Sequence, residues 1–295
     1  GTENNPDTLI KDIDPTIKFY SNSFTQLNEK FDHSSVDTVF MALPHGVSHN
    51  YVKSFYDKLQ IIDLSADFRL DDIEIYKKNY NDKHSASNLL NEFQYGLVEI
   101  NRDFLINKKN IAVPGCYPTS CLIPLIPLLK NEIIDSKNII IDSKSGYSGA
   151  GKKFDLENIK NAKDYNFYNY NTNSHRHICE IKQELMKHAK LSDVLFSFNP
   201  HILPNFRGML STMYCDLSPG MNKNNVIDCL NEIAINNEFI KFIHDDQRAD
   251  FFSIQNTNNC ILKIFDHYDS SKIIIVSLID NLVKGAAGQA VQCFN

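Results

Sequence analysis

The chain has 295 residues, 42% hydrophobic and 22% charged, with a formal net charge of −6. Those values describe a globular protein with enough length for one large domain or two ordinary ones. A mildly acidic chain without a Lys/Arg-rich block makes a poor phosphate-backbone binder, and no apolar run reaches the ~18 residues of a bilayer span, so nucleic acid and membrane are set aside.

The N-terminal "GTENNPDTLIKD" carries no signal-peptide core. "VDTVFMAL" (36–43) is an apolar run ending in "PHG", which predicts a buried strand and a turn. A helix pattern follows through Val52, Phe55 and Leu59, then short strands at "IIDL" (61–64) and "NIAV" (110–113). Strands alternating with helices predict a parallel, doubly wound, Rossmann-like sheet whose ligands sit beyond the carboxyl ends of the strands. The turns "PHGVS", "SADFRL" and "PGCYPT" are expected to open on that edge.

Beyond Cys116 the texture changes. A helix to about Lys130 precedes the strand "NIIIDSKSG", a Tyr/Asn-rich stretch (154–174) and a helix over about Ile178–Ala189. "VLFSF", "GMLSTMYCDL", a helix near 222–235, "NNCILKIFDH" and "KIIIVSLID" complete an α+β domain with a mixed or antiparallel sheet. The last segment, "NLVKGAAGQAVQ", reads as a helix whose small residues allow a close approach.

Seven cysteines without a CxxC pair fit neither a disulfide framework nor a zinc ribbon, so reduced thiols in a cytoplasmic protein are expected. Cys116 differs from the others. It follows a strand and a Pro114-Gly115 turn and opens a helix, with Pro118 in the first helical turn. Helix-terminal amides there favour a thiolate, lower its pKa and can hold an oxyanion; the alternative is a buried cysteine capping the helix. A thiol nucleophile needs an acid/base, and "NSHRHICEI" offers His175 and His177 just ahead of a helix with Glu180 in its first turn. A metal pair is the rival reading, but no third ligand stands out and no metal is expected. "SKSGYSGAGKK" (143–153) is able to present amides to an anion, or is a flexible hairpin.

Taken together, "ALPHGVS", "IDLSADFRL", "YGLVEINR", "VPGCYPT", "DSKSGYSGAGKK", "HRHICEI", "PHILPNFRGMLST" and "IDNLVKGAAGQAVQ" resemble, in order, the N-acetyl-gamma-glutamyl-phosphate reductases of type 1. "SADFRL" and "GCYPT" separate these from aspartate-semialdehyde dehydrogenases. The resemblance implies a glyceraldehyde-phosphate-dehydrogenase-like fold, with a dinucleotide-binding domain over 1–115 plus 280–295 and a catalytic, oligomerisation domain over 116–279. It implies NADPH-dependent reduction of N-acetyl-glutamyl 5-phosphate to the semialdehyde, a step of arginine biosynthesis, in a homo-oligomer (dimer or tetramer). Carried onto matching positions, Cys116 is the nucleophile and His177 the acid/base, with His175 and Glu180 near the substrate. Pro44, His45, Gly46, Ser65, Ser148, Gly149, Ala150, Gly151 and Asn281 then contact the NADP cofactor. Arg207, in "NFRG", is expected from charge and position to meet an anionic substrate group.

The chain also departs from the family pattern. The opening strand and G-x-x-G-x-x-G turn have no counterpart in its first 35 residues, so it is expected to begin downstream of them, and it stops a little short of the usual end. Ser174 and Cys179 replace a Gly and a Pro beside "HRH", and little of the family pattern remains over 247–260. An aspartate-semialdehyde-dehydrogenase-like reductase, a cysteine acyl-transferase or hydrolase, and a non-catalytic subunit are the competing readings.

Overall fold

The computed structural model describes residues 12, 33–80, 83–150, 166–244 and 246–295. The chain divides into two units, Gly1–Asp37 and Thr38–Asn295. The first includes a 3-10 turn at His33–Ser35.

The second unit opens with four short strands: β1 (Thr38–Met41), β2 (Gln60–Asp63), β3 (Gln94–Tyr95) and β4 (Asn110–Ala112). They pair in the order β1-β2-β4-β3, all parallel. Ile61, Ile62, Ile111 and Ala112 are buried on successive positions, as befits strands covered on both faces. The register sets Met41, Asp63, Ala112 and Tyr95 side by side, so the turns after all four strands leave from one edge. Helices α1 (Ser48–Phe55), α2 (Ile73–Tyr80) and α3 (Val98–Leu105) connect them. Two-residue β3 and the two-turn helices α2 and α3 were not anticipated, because segments so short display little periodicity.

Helix α4 (Cys116–Lys130) is buried from Tyr117 to Leu129. It stays helical although Pro124 and Pro127 remove two backbone donors, since apolar packing on every side offsets their loss. It lies on a seven-stranded mixed sheet made of β5 (Lys137–Gly146), β6 (Tyr168–Asn169), β7 (Leu195–Leu203), β8 (Met209–Asp216), β9 (Ile240–Phe242), β10 (Cys260–Asp266) and β11 (Lys272–Ile279). Its order is β6-β7-β5-β8-β11-β10-β9. The β5–β7 and β9–β10 pairs are parallel and the others antiparallel. Ile139, Ile141, Met213, Cys215, Ile273 and Ile275 point into the core that the sheet shares with α4, α5 (His177–Ala189) and α6 (Lys223–Asn236). Beneath α4, Ser120 donates to Ser211 (2.9 Å) and Ser277 (3.3 Å), and Ser143 bonds Ser211 at 2.8 Å. Four small side chains thus satisfy one another where helix and sheet approach closely.

The closing segment is not a uniform α-helix. Val283–Ala287 is π-wound, with Gly285 N–H donating to Asp280 C=O (2.9 Å) and Ala287 N–H to Leu282 C=O (3.1 Å). Helix α7 (Gly288–Phe294) follows and returns to the parallel sheet, where Gln289 Nε2 donates to Gly96 C=O at 2.9 Å. Buried Lys284 pairs with buried Glu99 of α3.

Candidate active site

Cys116 is the first residue of α4, directly after the β4 turn. Gly115 is its N-cap, in extended conformation, and no side chain caps the helix. The amides of Tyr117 and Cys116 face the sulfur and, together with Arg69, act to lower its pKa; burial outweighs them and the thiol is pushed up to about 11. The depression expected from a helix N-terminus is therefore overridden, because the desolvation of a crowded pocket is larger than a few amide dipoles.

His177 begins α5 and is 7% exposed. A Cβ on Gly115 would meet its Nε2 at 2.7 Å and its Cε1 at 2.8 Å. The imidazole therefore rests on the Cα that precedes the cysteine. Burial first, then the charges of His175, Arg69, Arg176 and His45, hold its pKa well below the usual histidine range, so the ring is neutral and able to accept a proton. Its Nδ1 is buried without a hydrogen-bond partner among the described residues.

His175 accepts the His177 N–H at 3.1 Å and stands within ring contact of Tyr117, Tyr170 and Phe198. Burial, then Arg176, lowers its pKa to about 4. Tyr170 Oη lies 3.2 Å from Tyr117 Oη and 3.4 Å from His175 Nε2. Desolvation raises the Tyr170 pKa to about 12.

Glu180, one turn into α5 and 1% exposed, ties the pieces together. Its Oε1 accepts from Tyr95 Oη (2.7 Å) and Gly115 N–H (2.9 Å), and its Oε2 pairs with Arg69 at 3.3 Å. Arg69 also donates to the carbonyls of Val113 and Leu64, both at 2.7 Å. The ends of β2, β3 and β4 are thus fastened to the helix that carries His177. On the other side of the thiol stands Gly285, where a Cβ would come within 2.7 Å of Cys116 Cβ.

The remaining predicted residues fall around this centre. His45, in the turn after β1, accepts Ala66 N–H at 2.9 Å; burial, Arg176 and Arg69 lower its pKa to about 3. Gly46 takes positive φ and donates its N–H to Asp67 at 2.8 Å, and Pro44 C=O accepts Val47 N–H at 3.2 Å across the same turn. Ser65 bonds buried Asp63 at 2.7 Å, and desolvation raises that carboxyl to about 6. Asn281 joins two loops, with Nδ2 donating to Ser148 Oγ (2.9 Å) and Oδ1 accepting Gly208 N–H (2.8 Å). Gly149 and Ala150 belong to the 3-10 turn Tyr147–Ala150; Gly151 lies outside the described residues. Arg207 is bonded to Asn256 and to buried Asp280 (3.3 Å), so its charge is already compensated. Sequence reading gave no role to Arg69 or Tyr95, although "SADFRL" set Arg69 in a strand-end turn; it took Gly115 as part of a turn and the small residues around Gly285 as allowing a close approach, which Gly285 makes to Cys116.

Among the described residues no group of three or more His, Cys, Asp or Glu is placed to hold a metal ion, and no helix is long and apolar enough to cross a membrane. The residues do fit a nicotinamide. The parallel-strand edge opens beside Cys116, and Ser148 Oγ, which accepts from Asn281, has no acceptor for its own proton among the described residues.

A cysteine and a histidine lie where a parallel α/β layer meets a mixed sheet, and two domain matches place this arrangement among the semialdehyde dehydrogenases. Residues 2–108 match the semialdehyde dehydrogenase NAD binding domain and residues 116–281 the semialdehyde dehydrogenase dimerisation domain. The chain is 45% identical over 260 residues to an N-acetyl-gamma-glutamyl-phosphate reductase of Caldicellulosiruptor bescii, covering 88% of this chain and 75% of that protein. It is 43% identical over 267 residues to the one of Ehrlichia chaffeensis, covering 90% and 77%. The chain belongs to the N-acetyl-gamma-glutamyl-phosphate reductase family. Its fold is shared with aspartate semialdehyde dehydrogenase II complexed with ASA from Vibrio cholerae, at a TM-score of 0.71 and 16% identity, over 99% of this chain and 87% of that one.

Proposed function

We propose that the protein reduces N-acetyl-glutamyl 5-phosphate to N-acetyl-glutamate 5-semialdehyde, with NADPH as reductant, in arginine biosynthesis. The observation that carries the reading is the placement of His177 on the Cα of Gly115, the residue directly before Cys116. Neutral His177 takes the Cys116 proton, which a thiol with a raised pKa would otherwise keep. The sulfur attacks the acyl carbon, the carbon–oxygen bond to phosphate breaks, and His177 passes its proton to the departing phosphate. Cys116 then carries a thioester, whose carbonyl accepts a hydride far more readily than a carboxylate would. A bound nicotinamide supplies the hydride. The resulting alkoxide is held by the amides at the start of α4 and collapses, the carbon–sulfur bond breaks, and the Cys116 thiolate regains a proton through His177. Glu180, Arg69 and Tyr95 position the turn. His175 orients His177 by accepting its backbone N–H.

Self-association fits the outer face of the mixed sheet. Ile140, Tyr214, Ile274 and Phe265 are cross-strand neighbours there, and all but Ile274 are well exposed. The seven free cysteines suit a reducing compartment such as the cytoplasm.

The test is Cys116→Ser in full-length protein, with substrate and without NADPH. Wild type is expected to gain the mass of the acyl group on Cys116 and the variant to gain none. A variant that still reduces the acyl phosphate at the wild-type rate rules the covalent route out.

A further inference from the structure

We infer that Arg176, the middle residue of "HRH", holds the phosphoryl group of the acyl phosphate, an assignment that rests on the reductase reading above. Three guanidinium groups serve this region, and two are committed. Arg69 is buried, donates to Val113, Leu64 and Glu180, and has its charge paired with the Glu180 carboxylate. Arg207 is neutralised by Asp280 and held by Asn256. Arg176 is exposed, stands as N-cap of α5 between His175 and His177, and has no carboxylate partner among the described residues. Its guanidinium lies 6.0 Å from the Tyr80 ring at the end of α2, and that ring in turn packs against His45 of the turn after β1, with ring centroids 5.6 Å apart.

Position and chemistry agree. When the acyl carbon meets Cys116 with His177 alongside, the phosphate is one ester oxygen away from that carbon. Arg176 is the neighbour of His177 in the chain, and its charge is felt at His45, His175 and His177 alike, each of which it helps keep neutral. A cation without a carboxylate partner and with a planar fork of donors is the group that pairs with two phosphate oxygens at once. Negative charge grows on the phosphate as the carbon–oxygen bond breaks, so a fixed guanidinium there assists departure as well as binding.

The reverse reaction isolates this contact. With semialdehyde, NADP and inorganic phosphate, hydride leaves the hemithioacetal carbon for the cofactor. Phosphate oxygen then attacks the thioester, and the carbon–sulfur bond breaks. In Arg176→Ala the KM for phosphate is expected to rise about 10- to 100-fold, as for loss of a charge-assisted pair, while those for aldehyde and NADP stay within about twofold. Arsenate in place of phosphate should shift in parallel, and Arg176→Lys should recover part of the loss. An unchanged phosphate KM, or three constants rising together, overturns the assignment while the reductase reading stands. A wild type without phosphate-dependent NADP reduction removes both.

Discussion

His177 rests against the bare Cα of Gly115, closer than any side-chain-bearing residue at that position would allow. The residue before Cys116 is therefore a glycine because of the imidazole beside it. Its φ of −68° is ordinary for any residue, so backbone strain plays no part.

Gly115→Ala is accordingly expected to fold and to lose activity. The added methyl displaces the His177 ring, and a displacement near 1 Å in a reacting pair costs on the order of 100-fold in rate. The prediction is a kcat about 100-fold lower with the circular dichroism spectrum retained. Wild-type turnover in the alanine variant would mean that the imidazole does not act from this position.

The raised pKa of Cys116 makes a second prediction. With the thiol at about 11 and His177 neutral, the free protein holds the S–H form at pH 7. Alkylation by iodoacetamide without substrate should accelerate about tenfold per pH unit from 7 to 10. A plateau reached by pH 7 would instead indicate a preformed thiolate–imidazolium pair.

Much of this centre was legible in the sequence and some was not. Cys116 stood out because a Pro-Gly turn between an apolar strand and an apolar helix leaves a thiol at a helix start, and "HRH" supplied the histidine. The direction of the Cys116 pKa was misjudged, because it is set by burial among atoms brought in from elsewhere in the chain, Gly285 of the closing π turn among them. The pairing of Arg69 with Glu180 spans 111 residues and has no local signature. The π winding of Val283–Ala287 was equally invisible, since it is set by packing against Cys116 and by the buried Lys284–Glu99 pair.

The Glu180 junction can be tested by substitution. Glutamine offers one oxygen where Tyr95, Gly115 and Arg69 require two, and it leaves a buried guanidinium without a counter-charge. Glu180→Gln is expected to cost about 3–5 kcal/mol, the scale of a broken buried ion pair. Adding Arg69→Met should recover part of that loss, because the uncompensated cation is then gone. Urea unfolding of the two single variants and the double variant measures the coupling, and purely additive losses would contradict a direct Arg69–Glu180 interaction.

Acid should destabilise the fold through three histidines. His45, His175 and His177 have folded pKa values below the ordinary 6.5, at about 3, about 4 and well below that value, each chiefly because of burial. As pH falls through 6.5 the unfolded chain binds protons that the native chain refuses. Stability is therefore full above about 6.5 and drains away toward about pH 4. Asp63 acts in the opposite sense, since its raised folded value of about 6 makes the native state bind the extra proton between about pH 4 and 6. The histidines outnumber it, so unfolding near pH 5 should take up about two protons net on this count. Urea midpoints measured from pH 7.5 to 4.5 give that number directly. His175→Gln should flatten the slope by about one proton, and an unaltered slope would show that His175 already titrates normally in the folded protein.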